Sequence, residues 1–303
     1  MSEEPSAAWA DLDGIPGSGR VIESFRRLVA GAVRSRVVGA DADQRAAELF
    51  EAPGDRWFVE ESAIRVVHGD TSMFIGGLRA LLLQSLHPLA MAGVAQHSDY
   101  KSDPWGRLQR TADFLAATTY GPASEAQRAV DMVKRVHTRV TGTASDGRPY
   151  SANDPHLLKW VHLAEIDSFV AAHRRFGAQK LSPERYDEYV DQMARVAEAL
   201  GVENPPRTIA EMKDQLRVYR PELRTSEEAR DAARYLLLTP PLPLVARAPY
   251  GVLASAAVSL LPVWARVPLR LPWLPVSERA LVRPVGDALS RLLRWAMQPE
   301  APR

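Results

Sequence analysis

The residues that could carry chemistry crowd into the stretch from His87 to His162, where histidines alternate with an Arg-Leu-Gln-Arg-Thr segment at 107–111. His137 is the most informative. Ala126, Val130, Val133, His137 and Val140 recur at alternating steps of four and three, so the imidazole falls on the apolar stripe of a helix, where an aliphatic residue would pack better. A neutral imidazole there is either a core residue with a satisfied ring or a metal ligand, and the pattern alone leaves both open. His162 repeats the arrangement on another helix, sharing an inner stripe with Leu158, Ile166 and Phe169 and standing one turn from Glu165. On a third helix Arg107, Thr111, Phe114 and Thr118 share a face, with Arg110 in reach of the same site. Two arginines and a threonine beside apolar residues suit a paired anionic group such as a carboxylate or phosphate, the alternative being ion pairs with acidic neighbours. His68, His156 and His173 stand beside turns or charged residues and are expected to face solvent.

Many chemistries are excluded. The chain has no cysteine, which removes disulfides, thiolate nucleophiles, zinc–cysteine sites, iron–sulfur clusters and thiolate-ligated haem. No Glu-x-x-His pair of a di-iron bundle is present, nor His-Glu-x-x-His, Gly-x-Ser-x-Gly, a P-loop or a glycine-rich dinucleotide fingerprint. A net charge of +1 gives no global field for gathering nucleic acid, so no nucleic-acid partner is expected.

The elements that must hold these residues are well punctuated. The helix bearing His137 is expected over Ser124 to Gly142, with a Ser124–Gln127 capping box and Gly142 as its stop. Asp103-Pro104 starts the arginine helix and Gly121-Pro122 ends it; Asn153 or Asp154 caps the His162 helix, with Pro155 in its first turn and an end near Phe176. Between them the Asp146-Gly147 signal marks a small hairpin or an irregular loop. Met73 to Leu86 is apolar nearly all round and should be buried up to His87-Pro88. Gly76 and Gly77 inside it imply close approach of another helix or of a flat ligand. A short helix, Leu89 to His97, follows, and further helices are expected over Pro183–Leu200, from Thr208, over Ser226–Leu238 and over Ser277–Met297. Upstream, residues 1–18 form a lead-in, and helices are expected over Val21–Val38 and Asp43–Glu51. Nothing alternates strand with helix and no long period repeats. The expectation is a single all-α domain over residues 19–303 with about ten helices.

The acidic N-terminus lacks a basic segment followed by an apolar core, so a cytoplasmic protein is expected. Residues 248–265 form an uncharged run of eighteen, interrupted by Pro249, Gly251 and Pro262. A buried or surface-docked helix accounts for it better than a span, which leaves peripheral membrane contact through 248–265 as one reading.

Three spaced segments, GGLRALLLQSLHPLAMAGVAQHSDY, DPWGRLQRT and RVHTRVTGTASDGRPYSANDPHLLKWVH, resemble the family of bacterial proteins grouped with latex-clearing rubber oxygenases and the fungal oxygenase that shortens the farnesyl chain in mycophenolic acid biosynthesis. The resemblance covers about residues 56–285. It implies a globin-like helical core holding haem b, with His137 as the proximal iron ligand and Arg107 and Thr111 as the polar pair beside the haem. Gly76, Gly77 and His162 would complete the pocket, and Arg107 with Arg110 would meet the two propionates. His97, Arg110 and Thr111 are the candidates for stabilising bound oxygen. Position 110 departs from the rubber oxygenases, which carry a lysine able to cap the iron; arginine stays protonated and cannot ligate. Their acidic residue above the haem has no counterpart here beyond Gln96 and His97, which counts against rubber as the substrate. The implied function is an oxygenase using dioxygen on an apolar unsaturated substrate, an isoprenoid or lipid. A haem carrier or sensor without turnover, and a metal-free helical protein docking on membranes, are the competing classes.

Overall fold

The computed structural model describes residues 49–98 and 101–297; the expected lead-in, the helix over Val21–Val38 and most of that over Asp43–Glu51 lie outside these. In chain order come α1 (Ala63–His68), α2 (Ser72–Gln84), α3 (Pro88–His97), α4 (Pro104–Tyr120) and α5 (Ala123–His137). A hairpin of β1 (Thr141–Thr143) and β2 (Pro149–Ser151) precedes α6 (Pro155–Phe176), α7 (Pro183–Leu200), α8 (Ile209–Tyr219), α9 (Glu227–Leu238) and α10 (Leu244–Leu260). The short α11 (Val263–Arg266) and α12 (Pro275–Ser277) lead through a π-helical turn, Glu278–Val282, into α13 (Arg283–Met297). The all-α expectation is borne out.

The helix starts follow their local chemistry. Asp103, Asp154, Ser182, Thr208 and Ser226 each accept a hydrogen bond from a backbone N–H in the first turn of α4, α6, α7, α8 and α9, satisfying donors that a helix start leaves orphaned. The Ser124–Gln127 capping box does not form. Pro122, extended at φ −56° and ψ 153°, takes the N-cap position, and Gln127 hydrogen-bonds Asp131 instead. That helix also stops at His137 rather than Gly142, because Gly142 is drawn into β1 opposite Tyr150. The hairpin turn uses Gly147 at φ +87°, a conformation that favours glycine.

At the centre α2 crosses α6. A Cβ on Gly76 would stand 2.7 Å from Phe169 Cδ1 and 3.3 Å from Ala172 Cβ, so the missing side chain is what lets the two helices meet. Arg79, almost wholly buried, stitches the crossing to Asp167, Ser168 and the carbonyl of Leu260. One side of the core joins Leu82, Leu83 and Leu86 to Trp160, Leu163 and Ile166 of α6 and to Tyr189 and Met193 of α7. The other joins Ile75, Ala172 and Phe176 to Ala256 and Ala257 of α10. The uncharged run at 248–265 therefore packs much of its alanine face inside. Among the described residues no single helix is long and apolar enough to cross a membrane; α2 with α3 passes only as a pair bent by 106°.

The last helix closes the molecule. Thr71 Oγ1 donates to Ser290 O at 3.1 Å, Arg175 grips Asp287 through both oxygens at 2.9 and 2.8 Å, and Arg294 lies 3.3 Å from Asp70. The π-helical turn before it is held by a buried ion pair between Arg266 and Glu278.

Candidate functional site

His137 is the final residue of α5, half-buried, with its Nδ1 enclosed and lacking any hydrogen-bond partner; burial lowers its pKa. His162, in the middle of α6, is buried and its Nε2 is likewise without a partner. Burial pushes its pKa down to about 3, helped by the charge of Lys159. Both rings are therefore neutral at physiological pH. An enclosed imidazole nitrogen with nothing to bond is costly in a packed interior and available to a ligand.

A polar chain surrounds that face of α6. His68, at the end of α1, places Nδ1 2.8 Å from Thr119 Oγ1 of α4 and Nε2 3.3 Å from the Tyr189 hydroxyl of α7. Burial brings the His68 pKa to about 3, and burial followed by the nearby Glu165 carboxylate raises Tyr189 well above its ordinary value. Glu165 itself is pushed up to about 7 by burial. Yet neither Glu165 nor His68 is fully closed off, each keeping part of its surface accessible. Phe114 and Leu115 of α4 and Val161 of α6 border the same core and are also incompletely covered.

The remaining sequence candidates divide. Arg107 is half-buried and donates from Nη1 to Ser98 Oγ at 2.9 Å; Arg110 is exposed and lies 3.3 Å from Asp103. Thr111 is exposed and bonds back to the Arg107 carbonyl at 3.1 Å. His97 is turned to the hairpin, with Nε2 3.0 Å from Thr141 O and 3.1 Å from the Tyr150 hydroxyl. Gly76 is accounted for by Phe169, whereas nothing stands within 4 Å of a Cβ built on Gly77.

Two expectations are corrected. His173 is buried, with Nδ1 2.9 Å from the Tyr186 hydroxyl, because it continues the inner stripe of α6 one turn beyond Phe169. His68 is half-buried, its ring turned to Thr119 and Tyr189, because it stands one turn after the buried Ile64 on α1. The same periodicity that marked His137 would have found both. His87, buried and beside His156 and Glu222, was legible in no such pattern.

The profile of the family described as ER-bound oxygenase mpaB/B'/rubber oxygenase, catalytic domain, matches residues 65–296. The chain belongs to this family. No curated protein and no solved structure matches it. The match runs from α1 to α13, so the mpaB/rubber oxygenase domain takes in His137, His162, Glu165 and the closing helix. An oxygenase domain of this family implies dioxygen and a small-molecule substrate.

Proposed function

We propose that this chain is a haem b-dependent oxygenase that acts with dioxygen on an apolar unsaturated substrate, an isoprenoid or lipid, cleaving a carbon–carbon double bond. One observation carries the reading: in a chain of this oxygenase family two neutral imidazoles, His137 and His162, each hold an enclosed ring nitrogen without a partner. These residues fit haem b, which asks for a neutral imidazole, apolar walls and cations near its propionates. Haem, when bound, supplies the site for dioxygen and the redox chemistry. His137 would be its ligand and Arg107 the partner of a propionate. Glu165, pushed up to about 7 by burial, would hold a proton on its carboxyl and release it near neutrality. The Tyr189 hydroxyl, 3.3 Å from His68 Nε2, stands close enough to feel that carboxylate's charge. Dioxygen and one double bond give two carbonyl groups, a balance that needs no external electron donor.

A carrier or sensor without turnover is the second reading, favoured by the engagement of His97 with Thr141 and Tyr150 and of Arg110 with Asp103. The test is hemin titration of the full chain followed by aerobic incubation with a polyprenyl substrate. A Soret band lost in His137→Ala, with carbonyl products from the wild type, supports the oxygenase. A band without products supports the carrier, and no uptake of hemin overturns both.

A further inference from the structure

A second cluster lies on the other side of α6, where three separate segments meet. His87 forms the N-cap of α3, His156 sits in the first turn of α6, and Glu222 follows α8 in a turn closed by Glu222 N to Tyr219 O at 2.9 Å. The Arg224 amide donates to Leu86 O at 2.9 Å and draws that turn against His87. One donor atom from each of the three residues lies within 4.8 Å of the others.

The histidines are unexplained as a hydrogen-bonded pair with the carboxylate. His87 is 1% exposed, yet both its ring nitrogens are without a hydrogen-bond partner, and Nε2 stands 3.5 Å from Glu222 Oε2. His156 is fixed by Tyr219, whose hydroxyl donates to the His156 carbonyl at 2.9 Å and lies 3.2 Å from Nδ1. A phenol has one proton and it goes to the carbonyl, so Nδ1–H donates to the phenol oxygen. Nε2 faces Glu222 Oε2 at 2.8 Å, an ion pair when the ring is protonated. A divalent cation that displaced that proton would find a lone pair on each of the two atoms.

We propose that His87 Nε2, His156 Nε2 and the Glu222 carboxylate form a three-ligand site for a divalent cation of the zinc class, distinct from the pocket around His137 and His162. Two neutral imidazoles and one carboxylate are the donor set such ions take with one position left for water. Donors about 3.4 Å apart are expected around a tetrahedral zinc ion with bonds near 2.1 Å. The 3.5 Å edge already matches, and the 2.8 Å edge opens when the ion replaces the proton. His156 and Glu222 are both partly exposed, which supplies the entry path and the open position. The Tyr219 bond to Nδ1 orients the ligating ring in the way outer partners of metal-bound histidines do. Arg148 is paired with Asp146, so its charge is offset locally. The ion would pin the starts of α3 and α6 and the turn after α8 to one point.

The experiment is titration of chelator-treated full-length protein with Co²⁺, read by visible d–d bands, with Zn²⁺ as competitor. One Co²⁺ per chain is expected at micromolar concentration, with tetrahedral or five-coordinate absorption that Zn²⁺ displaces. His156→Ala and Glu222→Gln, both at partly exposed positions, are each expected to weaken binding at least tenfold while far-UV circular dichroism stays unchanged. His137→Ala is expected to keep full Co²⁺ binding, which separates this site from the haem reading. Absence of saturable binding in the wild type, or unchanged affinity in both His156→Ala and Glu222→Gln, overturns the proposal.

Discussion

Arg79 reaches across the meeting of α2 and α6 and places Nη2 2.7 Å from Asp167, while Nη1 bonds Ser168 Oγ at 2.7 Å and Nε bonds the Leu260 carbonyl at 3.1 Å. Three elements thus share one guanidinium, whose side chain is 4% exposed against 22% for Asp167. Arg79→Met is expected to cost roughly 3–5 kcal/mol, because it strands Asp167 and a buried carbonyl. Adding Asp167→Leu to Arg79→Met should recover part of that loss. Urea unfolding of the two variants measures it; a double variant no more stable than the single one would assign the loss to the Leu260 carbonyl.

The neighbouring glycines should behave oppositely. Gly76→Ala pushes a methyl into Phe169 and Ala172 and is expected to destabilise by about 1–3 kcal/mol. Gly77→Ala meets nothing within 4 Å and should be neutral or stabilising by up to about 1 kcal/mol through helix propensity. Thermal denaturation of the apo forms reads both. A loss of hemin affinity in Gly77→Ala with unchanged stability would identify the open face of Gly77 as one that a flat ligand covers.

The buried titrating groups give a pH dependence with a definite sign. His68 and His162 have folded pKa values of about 3 against an ordinary 6.5, so between those limits the unfolded chain binds protons that the folded one refuses. Stability from these rings is complete above pH 6.5 and is lost as pH falls toward 3, at up to about 1.4 kcal/mol per pH unit for each. Glu165 runs the other way: raised from 4.5 to about 7, it holds a proton in the folded state that the unfolded chain releases, so its contribution is complete below pH 4.5 and lost as pH rises to 7. Between pH 4.5 and 6.5 His162→Gln should therefore flatten the rise of stability with pH by about one proton, and Glu165→Gln should steepen it by as much. Denaturant midpoints across that range test both; parallel curves for all three proteins would show that neither group is perturbed in the fold.

Arg107 distinguishes a built haem pocket from a fortuitous one. If its guanidinium meets a propionate, Arg107→Ala should lower hemin affinity about tenfold or more, and Arg107→Lys should restore only part, since an ammonium keeps the charge but lacks the fork. Hemin titrations of the three apo proteins at moderate salt decide it. Equal affinities would leave Arg107 with a structural role, the bond to Ser98 at the end of α3 among its contacts.

What could be read in the sequence was local. The caps at Asp103, Asp154, Thr208 and Ser226 announce helix starts because a side chain and the amides two or three residues on must meet whatever the rest of the chain does. The Ser124–Gln127 box failed for an equally local reason: Pro122 stands in the extended conformation that lets the helix begin at Ala123, ahead of the serine. His137 and His162 were visible as polar residues on apolar stripes, and Glu165 as the neighbour one turn from His162. His68 and His173 were assigned to solvent because they stand beside turns, although their spacing from Ile64 and Phe169 pointed inward. The grouping of His87, His156 and Glu222 could not have been read at all, since it is made by the α3, α6 and α8 ends converging, 66 and more residues apart in the chain.

The clasp between Thr71 and Ser290, reinforced by Asp287 and Arg294, bears on how the molecule is made. These contacts join residues as much as 224 positions apart, so the N-terminal end of α2 has no finished surroundings until α13 has left the ribosome. Until then the face of Phe176 that Gly286 comes to cover lies open to water, a nascent chain with a sticky flank. Closure of so long a loop comes late and slowly. Synthesis speed and chaperone supply, as much as the strength of any single contact, then govern how much of this protein a cell accumulates in working form.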